Sequence, residues 1–542
     1  MQASQNIVQM ARSACARFGM APAYSCLGAT LSFAELDRLS DLVALWLIRE
    51  TGLAPGDRVA IQLPNLPQYP VFALGVFKAR GVVVNLNPLY TARELLRPLQ
   101  DTGASVLVVL ANVAHVAAEV VPQTAVRRVV VCEVGDLLGP LRGRWISWAL
   151  RYLKRRVPAY VFAAEIGWRE VLALGAKGQV TELPSPAFSP DEVAVLQFTG
   201  GTSGVTKAAM LSHRNLLSNV LQMEAALAPD CPPAGALMVA PLPLYHIYAF
   251  TLSILLLLHC GHHALLIPNP RDTSAFIRSL RQVRMHGFLG INTLYRNLLD
   301  HPEFGRVDFS ALRVSSSGGM ALSAQVAEEW LARTGVRVVE GYGLTECSPL
   351  VSCNTYRDYR PGTVGKAAPG TELLLLALNG EPAAPGEPGE ICVRGPQVMQ
   401  GYWQNPQETA RAIDRAGWFH TGDIGVCDAE GYLRVVDRIK DVIIISGFNV
   451  FPVEIEEQLL LHPAIREACA VAVGDELAPV IKVFVVSSDP ALDAEAVIVH
   501  CRRRLAPYKV PKAVEFRAEL PKSSVGKVLR RELRDAARAG TA

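Results

Sequence analysis

Nine consecutive residues, Thr199-Gly200-Gly201-Thr202-Ser203-Gly204-Val205-Thr206-Lys207, follow the apolar run Val193 to Phe198 and combine three glycines, four hydroxyls and a lysine. Glycine lets backbone N–H groups approach an anion closely, hydroxyls add donors and lysine adds charge, so the segment suits phosphate. It is not a Walker A loop, which needs Gly-Lys-Ser/Thr, because Lys207 follows Thr206 and precedes Ala208. A P-loop kinase or ATPase is therefore the weaker reading. Taken alone, a Gly/Thr/Ser turn also serves as a plain linker, and the segment gains meaning only from its companions.

Those companions are Pro241-Leu242-Pro243-Leu244-Tyr245-His246, Ser315-Ser316-Ser317-Gly318-Gly319-Met320, Glu340-Gly341-Tyr342-Gly343-Leu344-Thr345-Glu346, Thr421-Gly422-Asp423, Asp437-Arg438-Ile439-Lys440-Asp441 and Pro521-Lys522-Ser523-Ser524-Val525-Gly526-Lys527. Each has an ordinary explanation by itself. Glu346 could be a solvated loop carboxylate, Asp423 a turn residue and Lys527 part of a solvated basic tail. In this order the motifs resemble the adenylate-forming superfamily of acyl-CoA synthetases, luciferases and peptide-synthetase adenylation domains. The resemblance runs from Leu31-Ser32-Phe33-Ala34-Glu35-Leu36 to Arg530-Arg531-Glu532-Leu533. Within that superfamily, Asn87-Pro88-Leu89-Tyr90-Thr91 and Ser446-Gly447-Phe448-Asn449-Val450-Phe451-Pro452 are most similar to bacterial long-chain fatty acyl-CoA synthetases.

The resemblance implies a two-step reaction. A fatty acid carboxylate attacks the α-phosphate of ATP to give an acyl-adenylate and pyrophosphate, and the thiol of coenzyme A then displaces AMP. The family's motifs assign roles by position. Lys527 contacts the carboxylate and the α-phosphate, Thr345 reaches the α-phosphate, Glu346 ligates Mg²⁺, and His246 positions the acid at the acyl pocket. Thr199, Gly200, Gly201, Thr202, Ser203, Gly204, Thr206 and Lys207 hold the β- and γ-phosphates. Tyr342 lies against adenine, which Gly318 and Gly319 allow close to the backbone. Asp423 accepts from the ribose hydroxyls with help from Arg438, Lys440 marks the hinge, and Gly447 lines the pantetheine tunnel. Three departures from the family pattern are Ser203, Ala208 and the loop Glu476-Leu477-Ala478-Pro479. Other readings are an adenylating ligase for a different acid or a carrier protein, and a non-catalytic regulator that binds ATP or fatty acid.

Elements able to position these residues recur along the chain. Val59 to Leu63, a helical pattern over Val71 to Ala79 and Val82 to Val84 give βαβ rhythm. It returns at Ser105 to Leu110, His263 to Ile267, Gly287 to Ile291 with Thr293 to Leu299, and Val336 to Val339. The expected fold is α/β: a large N-terminal domain of parallel-type sheets with covering helices plus a β subdomain, and a small mobile C-terminal α+β domain. The β subdomain is read from Thr371 to Ala377, Gly389 to Val393 and Gly431 to Val436. The charged break around Lys440 divides 1–439 from 440–542, which carries the catalytic lysine.

Composition narrows the setting. The 542 residues are half hydrophobic, and 53 basic against 50 acidic side chains leave a net charge of +3, too balanced for a protein that coats nucleic acid. Eleven cysteines without a Cys-x-x-Cys pair read as a reduced cytoplasmic protein rather than a disulfide framework. Met1 to Phe18 lacks the apolar core of a secretory signal, and the run Leu252 to Leu258 stops at His259, too short to span a bilayer. His259, Cys260, His262 and His263 are dense, but no second ligand group at zinc spacing accompanies them, so metal binding there is not expected. Over 141–162, Trp145, Trp148 and Tyr152 alternate with Arg142, Arg144, Arg151, Lys154, Arg155 and Arg156. That pattern fits either an interfacial helix on the inner face of the membrane or a basic helix packed on the protein's own core. A homodimer is also compatible with the sequence.

Overall fold

Arg58–Gln62, Val82–Asn85, Val106–Leu110 and Arg128–Cys132 are almost wholly buried strands. Burial on both faces is why they read as unbroken apolar runs, and they pair in parallel. The computed structural model describes residues 5–199, 206–227, 230–377, 379–445, 448–475, 478–522 and 528–539. Within it these strands belong to a seven-stranded sheet ordered Glu165–Gly167, Arg128–Cys132, Val106–Leu110, Arg58–Gln62, Val82–Asn85, Val193–Thr199 and Lys207–Ser212. The last pair is antiparallel. The helix Gln68–Lys78, which joins Arg58–Gln62 to Val82–Asn85 in sequence, is buried along its whole length. Its Lys78 ammonium is satisfied inside by Asp37 Oδ1 at 2.6 Å, Asp41 Oδ1 at 2.8 Å and Ser40 Oγ at 2.8 Å.

A second sheet runs Leu350–Cys353, Val338–Gly343, Val314–Gly318, Gly287–Gly290, Leu237–Ala240, His263–Leu266, Pro22–Cys26 and Ala29–Ser32. Its inner pairs are parallel and its pairs at both of these ends are antiparallel. The carboxyl ends of its parallel strands lead into the Pro241 to His246, Gly318-Gly319 and Tyr342 to Glu346 segments. That is the edge at which open α/β sheets bind ligands. The apolar run after His246 forms a helix with a π-helical stretch, Phe250–Leu256, buried throughout.

The chain falls into two compact units. The first comprises Met1–Tyr359, Ala368–Thr371 and Arg394–Gly417, and the second comprises Arg360–Ala367, Glu372–Val393 and Trp418–Ala542. The second unit is built from antiparallel strands, Glu372–Leu376, Pro388–Arg394, Phe419–Cys427 and Leu433–Arg438 in that order. Beyond Lys440, in the turn Ile439–Asp441, it adds a sheet of Ile465–Asp475, Ala478–Ser487 and Ala513–Phe516. Alternation along the middle strand serves two cores. Val483 and Val485 pack with Ile455, Leu459 and Val497, while Phe484 packs on the other face with Leu533 and Ala537. The architecture is therefore the α/β fold with parallel sheets and a C-terminal α+β portion read from the sequence. No described helix is long and apolar enough to cross a membrane.

Candidate active site

Thr199 and Lys207, which flank the glycine-rich segment in sequence, are partners in an antiparallel strand pair. Gly200, Gly201, Thr202, Ser203 and Gly204 lie outside the described residues, and Thr206 is half-buried beside Lys207. The Lys207 ammonium is ion-paired with Glu408 and sits 5.1 Å from the ring centre of Tyr402. The Tyr402 hydroxyl in turn donates to Glu346 Oε1 at 2.8 Å. Lys207 and Glu346 thus share one neighbour, supplied by a segment about two hundred residues beyond the glycine-rich turn.

Backbone pairing pins that segment. Met210 N–H donates to the Gly401 carbonyl at 2.9 Å, Trp403 N–H to Ala208 at 2.8 Å, and Met399 N–H to the Glu346 carbonyl at 2.8 Å. Helix Pro406–Ala412, capped by Asn405 with proline at its first position, carries Glu408. Lys207 foremost holds the Glu408 carboxyl below the usual range. Burial, with Glu346 adjacent, pushes the Tyr402 phenol far up, so it stays a donor. Glu346 is 9% exposed. A single buried carboxylate, completed by phosphate oxygens and water, is a donor set that fits Mg²⁺. Neither Tyr402 nor Glu408 has a local sequence signal; only the fold joins them to Lys207.

Of the residues expected to meet the acid and adenine, His246 caps the short helix Ile247–Ala249, and its Nδ1 accepts from the Tyr248 N–H at 3.3 Å. Loss of hydration among surrounding groups lowers the imidazole to about 4, so it is neutral near pH 7. A buried polar relay sets the segment before it. Tyr69 OH donates to Asn85 Oδ1 at 2.6 Å, Asn85 Nδ2 to Gln197 Oε1 at 2.8 Å, and Gln197 Nε2 to the Tyr245 carbonyl at 3.0 Å. Asn65 adds bonds to the Leu242 carbonyl at 2.8 Å and from the Leu244 N–H at 2.9 Å.

Gly318 and Gly319 differ in what they permit. A Cβ on Gly318 would stand 3.2 Å from Tyr248 Cζ, whereas Gly319 has φ +81° and open space beside it. Gly318 therefore makes room for Tyr248, and Gly319 leaves its backbone approachable. Tyr342 is buried on the neighbouring strand. Gly343 is required by contact, since a Cβ there would lie 2.1 Å from the Pro349 carbonyl oxygen. Thr345 and Glu346 follow in a 3₁₀ turn. Nearby Glu340, not singled out by the sequence, accepts from the Leu322 N–H at 3.1 Å, and burial raises its carboxyl to about 7.

In the second unit Asp423 and Arg438 are cross-strand partners, with Arg438 Nε 3.0 Å from Asp423 Oδ1. Asp423 is 5% exposed, and its N–H donates to Thr421 Oγ1 at 3.0 Å. Asp437 on the same strand accepts from the N–H groups of Arg438 at 2.8 Å and Val453 at 2.9 Å. Asp441, next to Lys440, pairs with Arg534 at 2.6 Å. Lys440 itself is exposed. Gly447 and Lys527 lie outside the described residues. A bridge between Lys522 and Val528 flanks the Lys527 segment, and Lys522 Nζ is 2.6 Å from Glu467 Oε1.

Comparison with known proteins adds an independent line. Residues 11–403 match the family described as AMP-binding enzyme, and residues 454–527 match the AMP-binding enzyme C-terminal domain. A long-chain-fatty-acid–CoA ligase of Escherichia coli O157:H7 is 47% identical over 98% of this chain and 95% of its own. Another of that name from Haemophilus influenzae is 43% identical over 95% of this chain and 92% of its own. Among solved structures, an anthranilate CoA ligase in complex with anthranoyl-AMP superposes with TM-score 0.86 at 22% identity, over 100% of this chain and 99% of that one. At that identity it speaks for the fold.

Proposed function

The chain belongs to the AMP-binding enzyme family, and from that premise we propose that it is an ATP-dependent fatty acyl-CoA ligase acting on long-chain acids. The observation that carries the reading is the Lys207–Tyr402–Glu346 cluster beside the glycine-rich turn, which gathers a cation, a neutral donor and a carboxylate where a triphosphate with its metal needs all three.

In the first step a carboxylate oxygen of the fatty acid attacks the α-phosphorus of ATP, forming the acyl–phosphate bond and expelling pyrophosphate. Two anions at about 4 Å repel by about 1 kcal/mol in water and about 4 kcal/mol in a partly dry site, which cations and fixed donors must offset. Lys527 supplies that charge between carboxylate and α-phosphate, and Thr345 adds a donor there. Lys207 and the turn before it hold the outer phosphates, with Glu408 releasing the lysine to the nucleotide. Glu346 would hold Mg²⁺, which when bound neutralises phosphate charge. Asp423, oriented by Arg438, accepts from the ribose hydroxyls, and neutral His246 orients the acid without adding a competing charge. In the second step the coenzyme A sulfur attacks the acyl carbon, its proton passing to solvent, and AMP leaves. The turn at Lys440 serves as the pivot that exchanges Lys527 for the thiol-binding face, which includes Gly447.

The test is AMP release with coenzyme A across a panel of acids from short to long. Release that requires the acid, matches thioester formed and peaks at long chains supports the reading; ADP as product, or preference for aromatic acids, overturns it.

A second reading concerns where the enzyme finds its substrate. In the segment 140–153, Leu141, Trp145, Trp148, Tyr152 and Leu153 are exposed, alongside exposed Arg144, Lys154, Arg155 and Arg156. Arg151 is instead tied to Glu133 at 2.9 Å. Aromatics left outside the core favour an interfacial role on the cytoplasmic leaflet. The expected result is salt-sensitive sedimentation with anionic vesicles, weakened when Lys154, Arg155 and Arg156 become Gln. No sedimentation at low salt would make the segment structural.

A further inference from the structure

The dense histidine and cysteine stretch before strand His263–Leu266 is divided by the fold, and part of it acquires a partner that its spacing does not announce. His259 Nε2 turns to Glu224 Oε2 at 3.0 Å, and His263 Nε2 to Ser25 Oγ at 2.7 Å. His262 turns the other way, with Nε2 3.3 Å from Cys231 Sγ, and Cys260 closes the group: the donor atoms of Cys231, Cys260 and His262 all lie within 4.8 Å of one another. Cys231 lies 29 residues before Cys260, far from zinc-ribbon spacing.

Backbone contacts fix this convergence. The Gly235 N–H donates to the Gly261 carbonyl at 2.8 Å and the His263 N–H to the Ala236 carbonyl at 3.0 Å, which hold the Cys231 loop against the Cys260 turn. Gly261 has φ +73°, and a Cβ there would lie 2.3 Å from the Phe18 ring, so the left-handed turn that presents Cys260 and His262 together admits only glycine. His262 is 3% exposed and its Nδ1 has no hydrogen-bond partner, so Nε2 is the nitrogen aimed at the thiols. Cys231 lies at the surface and gives access.

We propose that Cys231 Sγ, Cys260 Sγ and His262 Nε2 form a binding site for a thiophilic d¹⁰ cation of the Zn²⁺ type, with water in the fourth position. In tetrahedral coordination with metal–sulfur bonds of about 2.3 Å and metal–nitrogen bonds of about 2.0 Å, donors stand about 3.5–3.8 Å apart. The Cys231–His262 spacing is within about 0.3 Å of that range, and donors that all lie within 4.8 Å of one another need shifts of at most about 1.3 Å to meet it. Binding displaces two thiol protons to solvent and leaves the imidazole neutral with its proton on Nδ1. Glu224, paired with His259, adds negative charge nearby.

The site stands at the amino ends of parallel strands Leu237–Ala240 and His263–Leu266, whereas Tyr245 and His246 follow the carboxyl end of the first. A four-residue strand separates the two edges by about 13 Å. The cation therefore does not take part in adenylation; it ties the loop after helix His213–Leu227 to the start of a central strand.

The experiment uses the full chain, reduced and stripped of metal, titrated anaerobically with Zn²⁺ against a chromophoric chelator and separately with Co²⁺. One equivalent is expected to bind, with thiolate-to-cobalt charge-transfer absorption. Cys231→Ser should weaken Zn²⁺ binding by about 100-fold or more while the circular dichroism spectrum and AMP release stay unchanged. Failure to bind Zn²⁺ more tightly than micromolar, or binding that survives Cys231→Ser, overturns the proposal. So does loss of binding on Cys392→Ser instead, which would move the metal to the Glu390, Cys392 and His420 group.

Discussion

The two compact units hold their polar groups by different means. In the first, Lys207, Glu346 and the segment carrying Tyr402 and Glu408 are three separate stretches, which meet because residues 400–403 pair with strand Lys207–Ser212 and Met399 with Glu346. In the second, Asp423 and Arg438 meet because they are opposite residues of one antiparallel ladder. A site assembled from distant segments depends on many contacts at once, whereas a ladder pair depends on register alone. Damage to the Lys207, Tyr402 and Glu346 cluster should therefore spread to the chemical step, and damage to the Asp423 and Arg438 pair should remain local to nucleotide binding.

The largest effect expected is that of Lys527→Ala: acyl-adenylate formation falls by about 10²–10³-fold or more, while thioester formation from supplied acyl-adenylate is largely kept. Separate assays of the two half-reactions check it, and equal loss in both would contradict a role for Lys527 confined to adenylation.

Next comes a stability effect confined to the first unit. Burial raises the Glu340 carboxyl to about 7, above its unfolded value, so its contribution is complete below about pH 4.5 and is lost as pH rises through 7. Glu340→Gln keeps an acceptor for the Leu322 N–H and should be neutral at pH 4.5 but stabilising by up to about 3 kcal/mol at pH 8. Denaturant melts at the two pH values decide, and a gain of equal size at both would show that ionisation is not the cause.

Tyr402→Phe sharpens the comparison further. It keeps the ring beneath Lys207 but removes the donor to Glu346, and kcat for adenylation should fall about 10-fold or more. Asp423→Asn should act mainly through KM for ATP, by about 10-fold, with kcat nearly kept. Steady-state kinetics of the pair test the contrast; a KM effect at Tyr402 and a kcat effect at Asp423 would invert it.

How much of this was legible in sequence follows the same contrast. The buried parallel strands were readable because runs such as Val106–Leu110 are apolar on both faces, and the Asp423 and Arg438 motifs lie close enough in sequence to be quoted together. The strand Lys207–Ser212 was not read, since Lys-Ala-Ala-Met-Leu-Ser carries neither strict alternation nor β-branched residues. Tyr402, Glu408 and the relay through Asn85 and Gln197 were invisible because their partners lie far away in the chain. For the same reason spacing argued against a metal at Cys260 and His262: the third ligand arrives through a loop, not through a motif.

The most direct test of the central claim is pyrophosphate–ATP exchange measured with fatty acid present and coenzyme A absent. Exchange is expected to depend on the acid, to proceed without coenzyme A and to be lost in Lys527→Ala. Exchange that requires coenzyme A, or that persists in Lys527→Ala, would contradict an acyl-adenylate formed under that lysine.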